Sequence, residues 1–114
     1  MSAPPLQPIV QGQYLGSSAA SLYASPAGTV TRIDKLTVCN SSGSSVTVTF
    51  YLVPSGSSIG GDNTSTFAQA ISAGSTWNSP NEYGLYLGPG DAFWGLCSAA
   101  SSASVFAAGT QATG

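Results

Sequence analysis

Charge is what this sequence has least of: Arg32, Asp34, Lys35, Asp62, Glu82 and Asp91 are its six charged side chains in 114 residues, against ~25% in an ordinary soluble domain. Two basic residues cannot assemble the cationic patch that neutralises phosphates, so nucleic acid is excluded as a partner. Histidine is absent, which removes the commonest general base and metal ligand. Cysteine is limited to Cys39 and Cys97, with no CxxC spacing to suggest a metal. The two read as small buried thiols, and a disulfide stays open if neighbouring strands bring them within reach. No apolar run approaches the ~18 residues that would suggest a membrane span, so no membrane partner is expected. The opening Met1-Ser2-Ala3-Pro4-Pro5 lacks the basic and apolar regions of a secretory signal, so synthesis in the cytosol is expected.

The polar quota is filled instead by 20 Ser, 10 Thr and 14 Gly. Solvent-facing positions are then short hydroxyls, with little electrostatic repulsion to keep copies or neighbours apart. A chain of this length supports one core, because halving it would leave each part too small to bury enough apolar surface. The expected organisation is an N-terminal arm over 1–8, a single domain over 9–110 and a short tail over 111–114. Three prolines, Pro4, Pro5 and Pro8, favour an extended arm that could reach a neighbour, with a frayed terminus as the bland alternative.

Residues 46–53 are the clearest element: Val46, Val48, Phe50 and Leu52 alternate with Thr47, Thr49 and Tyr51, the period of a half-buried strand. Pro54 ends it, having no amide hydrogen for a ladder. The preceding segment 33–39 is also strand-like, and the Asn40-Ser41-Ser42-Gly43-Ser44 connection predicts a β-hairpin between the two. Ile33 has the opposite parity to Leu36 and Val38, so a bulge near Asp34-Lys35 is needed to put all three inside, unless that charged pair protects an edge. Weaker strands are expected over 9–15, 21–24, 67–71, 92–98 and 104–108, separated by Gly, Ser, Asn or Pro. Asp91 is placed to cap the Gly88-Pro89-Gly90 turn. With no window showing helical apolar spacing, the pattern predicts an all-β fold, an antiparallel β-sandwich.

Reactive constellations are weak. Gly56-Ser57-Ser58-Ile59-Gly60 matches the G-x-S-x-G pattern of hydrolases, but without histidine nothing takes the serine proton, and no helix pattern follows. The four acids each sit in or beside turn segments, where carboxylates bond local amides. Asp62-Asn63 lacks the ordered acid spacing of a calcium loop. Asn40-Ser41-Ser42 and Asn63-Thr64-Ser65 match the glycosylation pattern but read as turns. No catalytic residue, cofactor or metal is assigned. Partner binding is the remaining class, with Pro4, Pro5 and Leu6 in the arm, Ile59 in the long 55–66 loop, and Trp77 and Tyr83 as candidate aromatic anchors. Trp94, between Phe93 and Leu96, reads as core.

Two stretches, Ile33 to Asn40 continuing through Val46 to Gly56, and Leu85-Tyr86-Leu87-Gly88-Pro89-Gly90-Asp91, resemble small structural proteins of tailed bacteriophage virions. That resemblance covers about 60 residues. It implies a jelly-roll-like sandwich that binds across major capsid subunits on the capsid exterior as cement or decoration, or sits in the tail. Its partners would be the major capsid protein or other virion proteins. A homo-oligomer is expected, a dimer ahead of a trimer because two-fold contacts are commonest. The alternative is a receptor- or carbohydrate-binding module of a tail or fibre, using Trp77 and the 55–66 loop.

Overall fold

The computed structural model describes residues 6–79, 82, 85–99 and 102–113. Its strands in chain order are β1 (Leu6–Tyr14), β2 (Ala20–Ala24), β3 (Thr29–Asn40), β4 (Val46–Val53), β5 (Thr64–Ile71), β6 (Thr76–Asn78), β7 (Tyr86–Leu87), β8 (Ala92–Cys97) and β9 (Ala103–Thr113). The helical content of the described residues is one 3-10 turn, Gly61–Asn63. One sheet has the order β1-β9-β3-β6, with β7 also on β3, and the other has the order β2-β8-β4-β5. All pairings are antiparallel. β6 pairs with Thr37, Val38 and Cys39, and β7 with Thr31 and Arg32, along the same edge of β3. Counted as one interrupted strand, they complete two four-stranded sheets with jelly-roll connectivity. The chain is therefore an all-β sandwich, as its alternation predicts.

The core lies between the sheets. Along β4, Val46, Val48 and Phe50 are buried, and along β8, Phe93 and Cys97. The Phe50 and Phe93 rings stack with centroids 5.3 Å apart and planes 14° apart. Gly95 makes room for them, since a Cβ there would come within 2.9 Å of the Phe50 ring. From the other sheet come Ile33, Leu36, Val38, Val105 and Ala107. Leu15, fully buried just after β1, closes the end where its amide bonds to Ala103 at 2.9 Å.

The parity break in β3 is resolved by a bulge. Ile33 pairs with Gly109 and Lys35 with Ala108, so one extra residue is absorbed at Asp34. Ile33, Leu36 and Val38 consequently all face the core. At the second predicted turn, the Asp91 carboxylate accepts from the Gly88 amide and also from the Ser55 amide, each at 2.8 Å.

The expected hairpin between residues 33–39 and 46–53 is not formed. β3 and β4 lie in different sheets, and the 41–45 connection crosses from one to the other. Turn residues license a reversal without specifying its plane, and here Asn40 decides it. Fully buried, its Nδ2 donates to Ser44 O at 2.8 Å, Ile71 O at 3.0 Å and Ser72 O at 3.2 Å, while its Oδ1 accepts from the Ser42 amide at 3.0 Å. The side chain thereby ties the end of β3 to the end of β5 in the opposite sheet. Asn40→Ala removes these bonds from a dry site and is expected to cost about 2–3 kcal/mol, read as a lower urea midpoint with an unchanged slope.

Strand pairing also runs into the segments read as arm and tail. Leu6 sits opposite Thr110 and Pro8 opposite Ala108, an edge position that a residue without an amide hydrogen tolerates. At the other end Thr113 sits opposite Thr29.

Candidate functional site

β4 presents Tyr51 on the outer face of its sheet, directly opposite Thr64 on β5 and Trp94 on β8. The loop leading to β5 is stitched by its own polar groups. Gly60 N donates to Asn63 Oδ1 at 3.0 Å, Asn63 Nδ2 to Ser58 O at 2.9 Å, and Thr64 Oγ1 to Gly60 O at 2.9 Å. Asn63 of the second glycosylation-like motif is thus committed to the turn. β5 then bulges, because Val48 pairs with Gln69 but Phe50 with Thr66. The extra residue leaves Ala68 at φ 48°, a left-handed conformation that costs a residue with a Cβ roughly 1–2 kcal/mol. Its amide is held by Thr49 Oγ1 at 3.0 Å.

The result is an aromatic side chain in solvent: Phe67 is 80% exposed. Together with Tyr51, Ile59, Gly60, Gly61, Thr64 and Ser65 it lines a groove of about 490 Å³. No charged residue lines it. Beneath the groove, Glu82 is fully buried and its carboxylate accepts from the hydroxyls of Ser65, Thr66 and Ser79. This clasp joins β5 of one sheet to the connection between β6 and β7 of the other. Alongside Tyr51, the Trp94 indole Nε1 is shielded from solvent with no hydrogen-bond partner among the described residues.

The outer face of the other sheet is a second surface. Both cations of the chain are on it, at the β3 bulge. Arg32 is paired with Asp34 at 2.7 Å, and the hydrogen bond and charge of that carboxylate raise the guanidinium pKa above its ordinary value. Lys35 borders a shallow depression of about 150 Å³ with Thr37 and Phe106. Phe106, about half exposed, lies over Gly12. Gly12 is required there, because its φ is +87° and a Cβ would stand 2.6 Å from the Phe106 ring. Tyr14 and Tyr86 are exposed on the same face.

Of the sequence-assigned partner residues, Ile59 is exposed and lines the groove. Trp77 does not serve as an exposed anchor: opposite Val38 in register, it points inward and packs half-buried against the core. Trp94, read as core, instead lies on the outward parity of β8 and is half-buried. Leu6 belongs to β1, with its side chain outside the described residues, as are Pro4, Pro5 and Tyr83 entirely. Cys97 is buried on the inner face, whereas Cys39 is half-buried on the outer face of the other sheet, so both remain free thiols. Phe67 and Phe106 are the exposed residues that sequence reasoning missed; it places Tyr51 and Lys35 outside the core but assigns neither to a partner site.

No family model matches the chain, and no curated protein does. Among solved structures, that of infectious bursal disease virus Gx strain is similar at 12% identity and a TM-score of 0.43, over 95% of this chain. The chain spans 30% of the length of that viral protein. A likeness of that degree assigns neither a family nor a role.

Proposed function

We propose that this chain is a non-enzymatic structural subunit of a bacteriophage particle that coats the head and cements neighbouring major capsid subunits. The observation that carries this reading is the outer face of the β1-β9-β3 sheet. Lys35, which has no ion-pair partner among the described residues, borders Phe106 there, and Tyr14 and Tyr86 are exposed on the same face, on a molecule with six charged residues in all. Covering such a face removes rings and hydroxyls from water and brings three charged side chains to the contact, two of them already paired with each other, a mixture of apolar and charged groups suited to a protein-binding patch.

The sheet edges favour docking by a face over docking by strand addition. β1 carries two register shifts and Pro8, β5 is bulged, and β6 and β7 are three and two residues long, all features that block pairing with another strand. A composite site spanning assembled subunits would then stabilise the assembled shell by mass action. The adhesive alternative loses Trp77 as its anchor, since that ring packs on the core.

The test is binding of purified chain to capsids that lack it. Lys35→Glu, at an exposed bulge, should leave thermal unfolding unchanged yet lower capsid affinity by about tenfold or more through charge reversal at the contact. Capsids coated with wild-type protein should resist heat better than bare ones. Equal binding by the variant, together with no gain in capsid heat resistance, would overturn the reading.

A further inference from the structure

We propose that the groove between the 58–61 loop and the bulged strand β5 is a binding site for a neutral saccharide chain. The backbone conformation is the first reason. Ala68 is held left-handed at φ 48°, and the consequence of that strain is a Phe67 ring left in water at 80% exposure. The core gains no packing from that ring. Strain that presents a side chain outward is characteristic of ligand contacts.

The chemistry of the lining selects the ligand. Tyr51 and Phe67 bring two aromatic rings to the lining, and aromatic rings pack against the C–H faces of pyranose rings. The two hydroxyls flanking the groove have already committed their protons: Thr64 Oγ1 donates to Gly60 O at 2.9 Å and Ser65 Oγ donates to the buried Glu82 carboxylate. Toward the groove both are therefore acceptors. A complementary ligand brings several O–H donors and apolar C–H surface. It also carries no charge, because no ionised group lines the groove. Anions are disfavoured further: Arg32 and Lys35 lie on the outer face of the other sheet, while Asp62 sits in the turn beside the groove, with its Oδ1 3.1 Å from where a Gly60 Cβ would stand. The volume, about 490 Å³, falls in the ~300–1,000 Å³ range of small-molecule sites. Glu82 acts here as a positioning residue, fixing the rotor of Ser65.

This site is on the opposite sheet from the face assigned to the capsid, so the two assignments fail separately. The experiment is saturation-transfer NMR and titration of the full chain with maltohexaose, cellohexaose, mannohexaose and chitohexaose. Inorganic phosphate and tetramethylammonium serve as charged controls. At least one neutral oligosaccharide should bind with a Kd on the order of 1 mM or tighter, with transfer to aromatic protons. Phe67→Ser should weaken it about tenfold or more and Ser65→Ala by a few fold, each relative to a Gly43→Ala variant, whose added carbon stands in open space and which binds as the wild type does. Because Phe67 is in solvent, its variant should unfold at the wild-type temperature. No binding of any oligosaccharide at about 10 mM, binding indifferent to Phe67→Ser, or saturable binding of a charged control in its place would overturn the proposal.

Discussion

Gly109→Ala is expected to abolish stable folding or to cost at least about 4 kcal/mol, the largest effect among the described glycines. Gly109 lies on β9, between β1 and β3 in the middle of its sheet, at the register step where β3 absorbs its extra residue. A Cβ on it would stand 1.9 Å from the Arg32 carbonyl oxygen and 2.6 Å from Ile9 Cδ1. A flexible side chain could move aside, but the carbonyl is part of the backbone of β3 and can yield only by opening the ladder. The expected result is loss of the cooperative thermal transition, or a midpoint lowered by well over 10 °C for a domain of about this size. Gly43→Ala is the control, with open space around the added carbon and a change expected within ~0.5 kcal/mol. A Gly109→Ala protein as stable as that control would mean that the β3–β9 register is wrong.

The second large effect is at Glu82. A carboxylate with 0% exposure is tolerated because three hydroxyls, two from β5 and one from the connection after β6, donate to it: Ser65 and Thr66 to Oε2, Ser79 to Oε1. Hydrogen bonds to a charged acceptor contribute about 1.5–3 kcal/mol each, offset in part by the desolvation of the carboxylate. Glu82→Ala removes all three and leaves a void, for an expected net loss of about 3–4 kcal/mol. Glu82→Gln keeps an acceptor oxygen for the Ser65 and Thr66 pair but turns an NH2 toward Ser79, and should lose about half as much. Denaturant titration of the three proteins gives the order wild type, Gln, Ala. A Gln variant less stable than the Ala variant would contradict the clasp.

These two residues show where sequence reasoning stops. The alternation of Val46, Val48, Phe50 and Leu52 is local, and it delivered β4. The parity conflict of Ile33 with Leu36 and Val38 is local too, and it located the bulge that now sets Gly109 against Arg32. Partnership across the sandwich is not local. Ser65, Thr66 and Ser79 are 17, 16 and 3 residues from Glu82, and nothing in their spacing announces a shared carboxylate. The same holds for Asn40, whose buried bonds to residues 71 and 72 turn an expected hairpin into a crossing between sheets.

The candidate surfaces divide along the same line. Ile59 was legible as an exposed residue because it is an isolated apolar side chain in a glycine-rich loop. Phe67 was not, since an aromatic in a strand-like segment is ordinarily core, and its exposure depends on a bulge set by the register with β4. Trp77, surrounded by hydroxyl and amide neighbours, looked exposed on local grounds, yet pairing with Val38 turns it inward. A three-residue edge strand such as β6 is too short for its alternation to reveal which side faces the core.

Cryo-electron microscopy of the particle that carries this chain shows directly whether the sandwich coats the head. Many copies of the sandwich are expected on the outer head surface, with Lys35 and Phe106 against the capsid and Phe67 facing outward. A chain confined to the tail tip, or one seated on the head with Lys35 and Phe106 in solvent, would contradict that placement.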